Sequence, residues 1–126
     1  MPYIAIDPHR YEGISVGDGQ CVAFVRAASN APPSSAWTRG AQVKSTNYIS
    51  TGTVIATFGS SGKYGNRKDG TSHAAIFLRK TPTGIVVLDQ WVWMGGAKQV
   101  VHERTIHFGR VAGQAVNNGD NYYVVE

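Results

Sequence analysis

A chain of 126 residues and 13.6 kDa can bury one hydrophobic core and is too short for two ordinary ones, so a single domain over residues 1–126 is expected. Its one cysteine excludes an intrachain disulfide framework and any zinc site built on two or more cysteines, and 42% hydrophobic with 16% charged residues fits a folded soluble chain. The net charge of +4 favours anionic partners such as acidic polymers with free carboxylates, but the basic residues are scattered except around "KYGNRKDG", so no nucleic-acid partner is expected.

The N-terminal "MPYIAIDPHRYEG" has no basic start followed by an apolar run of signal-peptide length. No apolar run approaches the roughly 18 residues of a membrane span, so no membrane insertion is expected. The chain therefore stays in the cytoplasm or leaves by a route that needs no cleavable signal. Residues 1–17, with Pro2, Pro8 and Gly13, read as an irregular arm. "GDGQCVAFVRAAS" then reads as a helix with Asp18 as N-cap and Cys21 at about the third helical position. Cys21, Phe24, Val25 and Ala28 recur at helical spacing and form its apolar face. "NAPPSS" ends that helix, because consecutive prolines cannot continue it. "SAWTRGAQVKS" is expected to form a second short helix with Trp37 and Ala41 inward.

From Gly52 the pattern changes to that of strands. "GTVIATF" is rich in β-branched residues, and the polar, glycine-rich stretch 59–72 that follows is long for a mere connector. "HAAIFLRK" and "IVVLDQWVW" read as a hairpin turning at Pro82 to Gly84, with "KQVVHERTIHF" and "NYYVVE" as two further strands. The expected class is α+β, N-terminal helices packed on an antiparallel sheet.

Cys21 at a helix start would have its thiolate stabilised by free N–H groups and the positive end of the helix dipole. Gly17 and Gly19 beside it would let a substrate backbone approach closely. A buried cysteine is equally often inert core, so the residue alone does not decide. His73 begins a strand next to the long loop, where a base can meet both solvent and substrate, although a strand-end histidine is commonly plain surface. The other histidines fit chemistry less well: His9 lies in the arm, and His102 and His107 face opposite ways on one strand. No HxxxH, HxH or CxxC spacing exists, so no metal is expected. Pairing of 73–79 with 85–91 returns Asp89 and Gln90 beside His73, and strand alternation lets only one of them point at the imidazole. A carboxylate there would fix the ring tautomer and leave the other nitrogen for the thiol.

In this order, "GQCVAFVR", "HAAIFL" and "VLDQW" resemble the cysteine and histidine motifs and the acidic-Gln strand of the CHAP amidases and related NlpC-type cell-wall peptidases. Size, charge and the missing signal are similar to those of the type VI secretion amidase effectors. The resemblance implies a papain-like fold and a cysteine amidase acting on peptidoglycan peptides, with no cofactor. Cys21 would be the nucleophile, His73 the base and Asp89 the orienting residue, where CHAP amidases usually carry Glu; Gln90 is the alternate. Tyr11 and Gln20 would serve the oxyanion site, and Trp91 and Trp93 would line the groove with loop 59–72. Delivery to the periplasm of target bacteria and a cognate immunity protein are implied too. The bond cut, in the stem or at the cross-link, stays open. Two rivals do as well: a non-catalytic binding module of the same fold, and a cytoplasmic cysteine acyltransferase or deamidase.

Overall fold

The computed structural model describes residues 1–126. One helix, α1 (Cys21–Ser29), is followed by six strands: β1 (Arg39–Gln42), β2 (Val54–Thr57), β3 (Ala74–Thr81), β4 (Gly84–Val92), β5 (Lys98–His107) and β6 (Tyr122–Val125). They form one sheet in the order β1-β6-β2-β3-β4-β5, with every neighbouring pair antiparallel. The β3–β4 hairpin forms as expected, with Ile76 opposite Leu88 and Phe77 opposite Val87. Its turn is held by the Thr81 hydroxyl, which accepts from the N–H groups of Thr83 and Gly84.

Both faces of β3 and β4 are buried, which is why their sequences read as continuous apolar runs rather than alternating ones. Ala74, Ile76, Leu78, Val86 and Leu88 pack beneath Phe24 and Val25 of α1, while Ala75, Phe77, Ile85 and Val87 join Val43, Ile106 and Tyr122 on the other side. Phe24 and Val25 have no exposed surface, and each contributes about 1.5–3 kcal/mol by leaving water. The helix ends at Ser29 because Asn30 turns into the left-handed region (φ 59°) just ahead of Pro32 and Pro33.

The second helix expected over "SAWTRGAQVKS" does not form. Ser34–Ala36 is a single 3-10 turn, and Arg39–Gln42 is the edge strand β1. Tertiary pairing overrides local preference there: β6 would otherwise present a bare edge, and Thr38 and Glu126 exchange backbone hydrogen bonds at 2.6 and 2.9 Å. Trp37 is buried as anticipated and donates its indole N–H to the Pro32 carbonyl, but Ala41, on a strand rather than a helix, is exposed. No helix is long and apolar enough to cross a membrane.

One ammonium ties the β1–β2 connection to the hairpin. Lys80 Nζ donates to the carbonyls of Val43, Lys44 and Thr46 at 3.2, 3.0 and 2.6 Å. Lys80→Met keeps the apolar stem and removes all three donors, so it is expected to lower stability by about 2 kcal/mol, the range for hydrogen bonds from a charged group. The urea midpoint should fall with an unchanged slope; an unchanged midpoint would count against the tie.

Candidate active site

Cys21 is the first residue of α1, not the third. Asp18 makes the turn before the helix instead of capping it: its Oδ1 accepts the Gln20 N–H at 3.0 Å, and Gln20 is the N-cap without a side-chain cap bond. The leading N–H groups of the helix are therefore left free beside the sulfur. Gly17 and Gly19 adopt left-handed φ values of +59° and +87°, which the turn requires. The space above Gly19 is filled by the Lys98 stem, 2.9 Å from where a Cβ would stand, so these glycines serve the backbone and not a substrate.

Gln90 holds this segment on the sheet. Without exposed surface, it accepts the Val16 N–H at 2.8 Å and donates to the carbonyls of Val16 (2.9 Å) and Gln20 (2.8 Å). It is spent on the segment that leads into Cys21 and makes no hydrogen bond to His73.

His73 precedes β3 at the end of the sheet. Thr57 of β2 fixes its backbone, with the Thr57 hydroxyl accepting the His73 N–H at 3.0 Å and the Thr57 N–H donating to the His73 carbonyl at 3.0 Å. The imidazole Nε2 meets Asp89 Oδ2 at 2.7 Å, which leaves Nδ1 for the sulfur. Alternation along β4 turns Gln90 to the helix side and Asp89 to the other, so the shorter carboxylate reaches the ring directly. Asp89 has no exposed surface and is also gripped by Arg104 of β5, with Nε at 3.1 and 2.8 Å from the two carboxylate oxygens and Nη2 at 2.8 Å from Oδ2.

These contacts decide the proton positions. Burial pushes the Cys21 thiol up, but the charge and hydrogen bond of His73, the Tyr64 hydroxyl and the Ala74 N–H outweigh it and hold the thiol below its ordinary value of 9.0. Burial pulls His73 down, yet the Cys21 thiolate and Asp89 raise it to about 9. Burial likewise opposes the charged form of Asp89, and the His73 and Arg104 contacts hold its carboxyl below the usual range.

Tyr64, from loop 59–72, places its hydroxyl 3.6 Å from Cys21 Sγ. Burial and the neighbouring thiolate push this phenol far above its ordinary value, so it remains a neutral donor. Tyr11 does not take that place: its ring packs edge-on to Phe24 and its hydroxyl donates to the Ala27 carbonyl, farther along the helix. Neither Tyr64 nor Arg104 was legible as a site residue, since both arrive by long-range packing. Only the unusual length of the loop pointed at the segment that carries Tyr64, and nothing pointed at Arg104.

A cleft of about 860 Å³ opens over Cys21 and His73. Gln20, Trp91 and Trp93 line it, together with Tyr64, Arg67, Lys68 and Gly70 of the loop. Trp91 stands edge-on to His73, with ring centroids 6.3 Å apart, and Trp93 meets Trp91 in the same edge-on manner at 5.1 Å. No three His, Cys, Asp or Glu side chains group where they could hold a metal ion.

Gln90→Leu strips partners from three part-buried backbone groups and is expected to cost about 2–3 kcal/mol, at about 1 kcal/mol or less for each. The surviving folded protein should also alkylate more slowly at Cys21, because the sulfur loses its fixed place beside His73. Denaturation and iodoacetamide kinetics read the two effects, and parental values in both would refute the tether.

A family model described as domesticated amidase effector 2 matches residues 3–125. A type VI secretion amidase effector 2 protein of Salmonella typhi is 36% identical over 136 residues, covering 100% of both chains. A domesticated amidase effector 2 of Ixodes scapularis is 39% identical over 127 residues, which is 95% of this chain and 82% of its own. A solved structure of type 6 secretion amidase effector 2 is similar with a TM-score of 0.83 and 34% identity, over 100% of this chain and 95% of that one. The α+β, papain-like architecture expected from the sequence is the one shared with that structure. The chain belongs to the domesticated amidase effector 2 family.

Proposed function

We propose that this protein is a cysteine amidase that hydrolyses an amide bond in peptidoglycan peptides through an acyl-enzyme, with Cys21, His73 and Asp89 as its catalytic row. The observation that carries the reading is geometric: Cys21 at the start of α1 and His73, whose Nε2 lies 2.7 Å from the buried Asp89 carboxylate, line the same cleft. The imidazole holds the thiol below its ordinary value, while the thiolate and Asp89 raise the imidazole, so each partner favours the charged form of the other and the pair can give a nucleophile and a proton in turn.

The Cys21 thiolate attacks the substrate carbonyl carbon and forms the C–S bond. The carbonyl electrons move to oxygen, where the free N–H groups of the first helical turn, with Gln20 alongside, receive the oxyanion. His73 then passes its proton to the departing amine as the C–N bond breaks. A water molecule attacks the thioester, neutral His73 takes its proton, and the thiolate leaves with the pair restored. Asp89 keeps Nε2 occupied throughout, so that only Nδ1 exchanges protons with the reaction. The indoles of Trp91 and Trp93 offer faces to the peptide, and Arg67 and Lys68 give the opposite wall positive charge suited to stem-peptide carboxylates. The names of the relatives support use as an amidase effector of type VI secretion, and delivery to target bacteria with a cognate immunity protein as partner belongs to the same proposal.

Purified sacculi test the reaction. The parent should release cleaved muropeptides, Cys21→Ala and His73→Ala should release none while remaining folded, and Asp89→Asn should lower kcat by at least about a hundredfold. Intact sacculi with the parent, or full activity in Cys21→Ala, would overturn the assignment.

The activity profile should be bell-shaped. Its acid limb follows thiol deprotonation and should lie below 9.0, because the Cys21 value is lowered. Its alkaline limb follows loss of the imidazolium proton and should lie near 9. A single rise centred at the ordinary thiol value would contradict the ion pair.

A further inference from the structure

Behind the catalytic row stands a cation that the mechanism above does not use. Arg104 places Nε 3.1 Å from Asp89 Oδ1 and 2.8 Å from Oδ2, with Nη2 also 2.8 Å from Oδ2, the oxygen that meets His73. The Trp91 ring lies over the guanidinium, 4.9 Å from its centroid, and limits its motion. The residue directly opposite Asp89 on β5 is His102, yet its Nδ1 stays 3.9 Å from Oδ1 and makes no hydrogen bond. Arg104, two residues further along β5, takes the carboxylate instead.

We infer that Arg104 is a positioning residue that balances the charge of the Asp89–His73–Cys21 row and thereby sets the pH range over which the reactive thiolate exists. This rests on the cysteine-amidase reading. The groups around Asp89 are His73 from the start of β3, Arg104 and His102 from β5, and Tyr122 from β6, whose hydroxyl donates to the Val116 carbonyl. Beyond His73 stand Cys21 of α1 and Tyr64 of the loop. In the reactive form the thiolate, imidazolium, carboxylate and guanidinium sum to zero. Remove the guanidinium and that form carries one uncompensated negative charge in a site where Cys21, His73 and Asp89 are all buried, whereas the thiol form becomes the neutral one. The sign follows: with a fixed positive charge gone, Cys21 holds its proton to higher pH, and so does His73, now facing an unshared carboxylate. Both limbs move to alkaline pH.

The test is the pH profile of iodoacetamide alkylation at Cys21, a readout that needs no substrate, run beside muropeptide release with kcat normalised to titrated thiol. In Arg104→Gln both limbs should move up by about one pH unit, the lower end for one charge at this distance, so that alkylation on the acid limb slows about tenfold. In Arg104→Lys the charge is kept and the two-pronged grip lost, so the limbs should stay in place while kcat per thiol falls about tenfold. A purely structural Arg104 would lower the yield of folded protein and leave the limbs of both variants at their parental positions. Unmoved limbs in folded Arg104→Gln overturn the inference. If that variant does not fold, Arg104→Lys decides: displaced limbs or full kcat per thiol overturn it, and parental limbs with reduced kcat support it. Should the limbs shift as expected while the parent releases no muropeptides, the peptidoglycan reading fails and the role of Arg104 stands.

Discussion

The paired side chains of Asp89 and Gln90 at the end of β4 place both halves of the site at once. They are consecutive, so the pleat turns them to opposite faces of the sheet. Gln90 reaches the helix side and holds Val16 and Gln20 by three hydrogen bonds, which fixes where α1 begins and where the sulfur lies. Asp89 reaches the other side and fixes the imidazole. A shift of β4 by one residue against β3 would exchange the two faces and separate thiol from base, and the continuous apolar runs on both faces of the hairpin resist such a slip less than an alternating strand would. The bulge between Phe77 and Arg79 and the turn at Thr81 supply part of the missing register.

Carrying four charged groups into so dry a place is costly unless each meets a partner. Asp89 has no exposed surface and His73 only 6%. The site meets that cost by alternating signs from sulfur to imidazole to carboxylate to guanidinium, so every ion has an opposite neighbour within hydrogen-bonding reach or next to it. Burial then acts in favour of the arrangement, since water cannot screen the attraction between thiolate and imidazolium. The same burial that opposes each charge singly makes the set hold together.

Much of this was legible in the sequence, for reasons that differ by residue. A glycine-rich turn followed by Cys21 and a helical apolar spacing placed the thiol at a helix start, and a histidine opening an apolar run placed the His73 imidazole at a sheet end. Period-two alternation already required that Asp89 and Gln90 divide their duties. What failed was local capping logic: Asp18 looked like an N-cap, but the left-handed glycines on either side bend the chain so that its carboxylate meets the Gln20 N–H before the helix starts. Trp37 and its neighbours looked helical because edge-strand pairing with the chain terminus leaves no local mark. Tyr64 and Arg104 carry no spacing signal at all, since each acts across a contact that only the folded chain creates.

Loop 59–72 shows how a segment without regular structure can still form a well-bonded wall. Tyr64 is wedged between Trp37 at 5.0 Å and Phe58 at 6.4 Å, which aims its hydroxyl at the sulfur. Farther along, Asp69 accepts from Arg67 Nε and from the N–H and hydroxyl of Thr71, and these bonds, Thr71 first, hold its carboxyl down to about 2. Gly70 (φ +87°) passes so close to Gln114 that a Cβ would stand 2.7 Å from its amide carbon, and its carbonyl accepts the Val116 N–H at 3.1 Å. Thr71 in turn gives its carbonyl to the Thr57 hydroxyl, the same hydroxyl that accepts the His73 N–H. The loop thus touches Cys21 through Tyr64 and is joined through Thr71 to the hydroxyl that holds the His73 backbone. Its course brings one phenol to the Cys21 sulfur and one side of the cleft to His73.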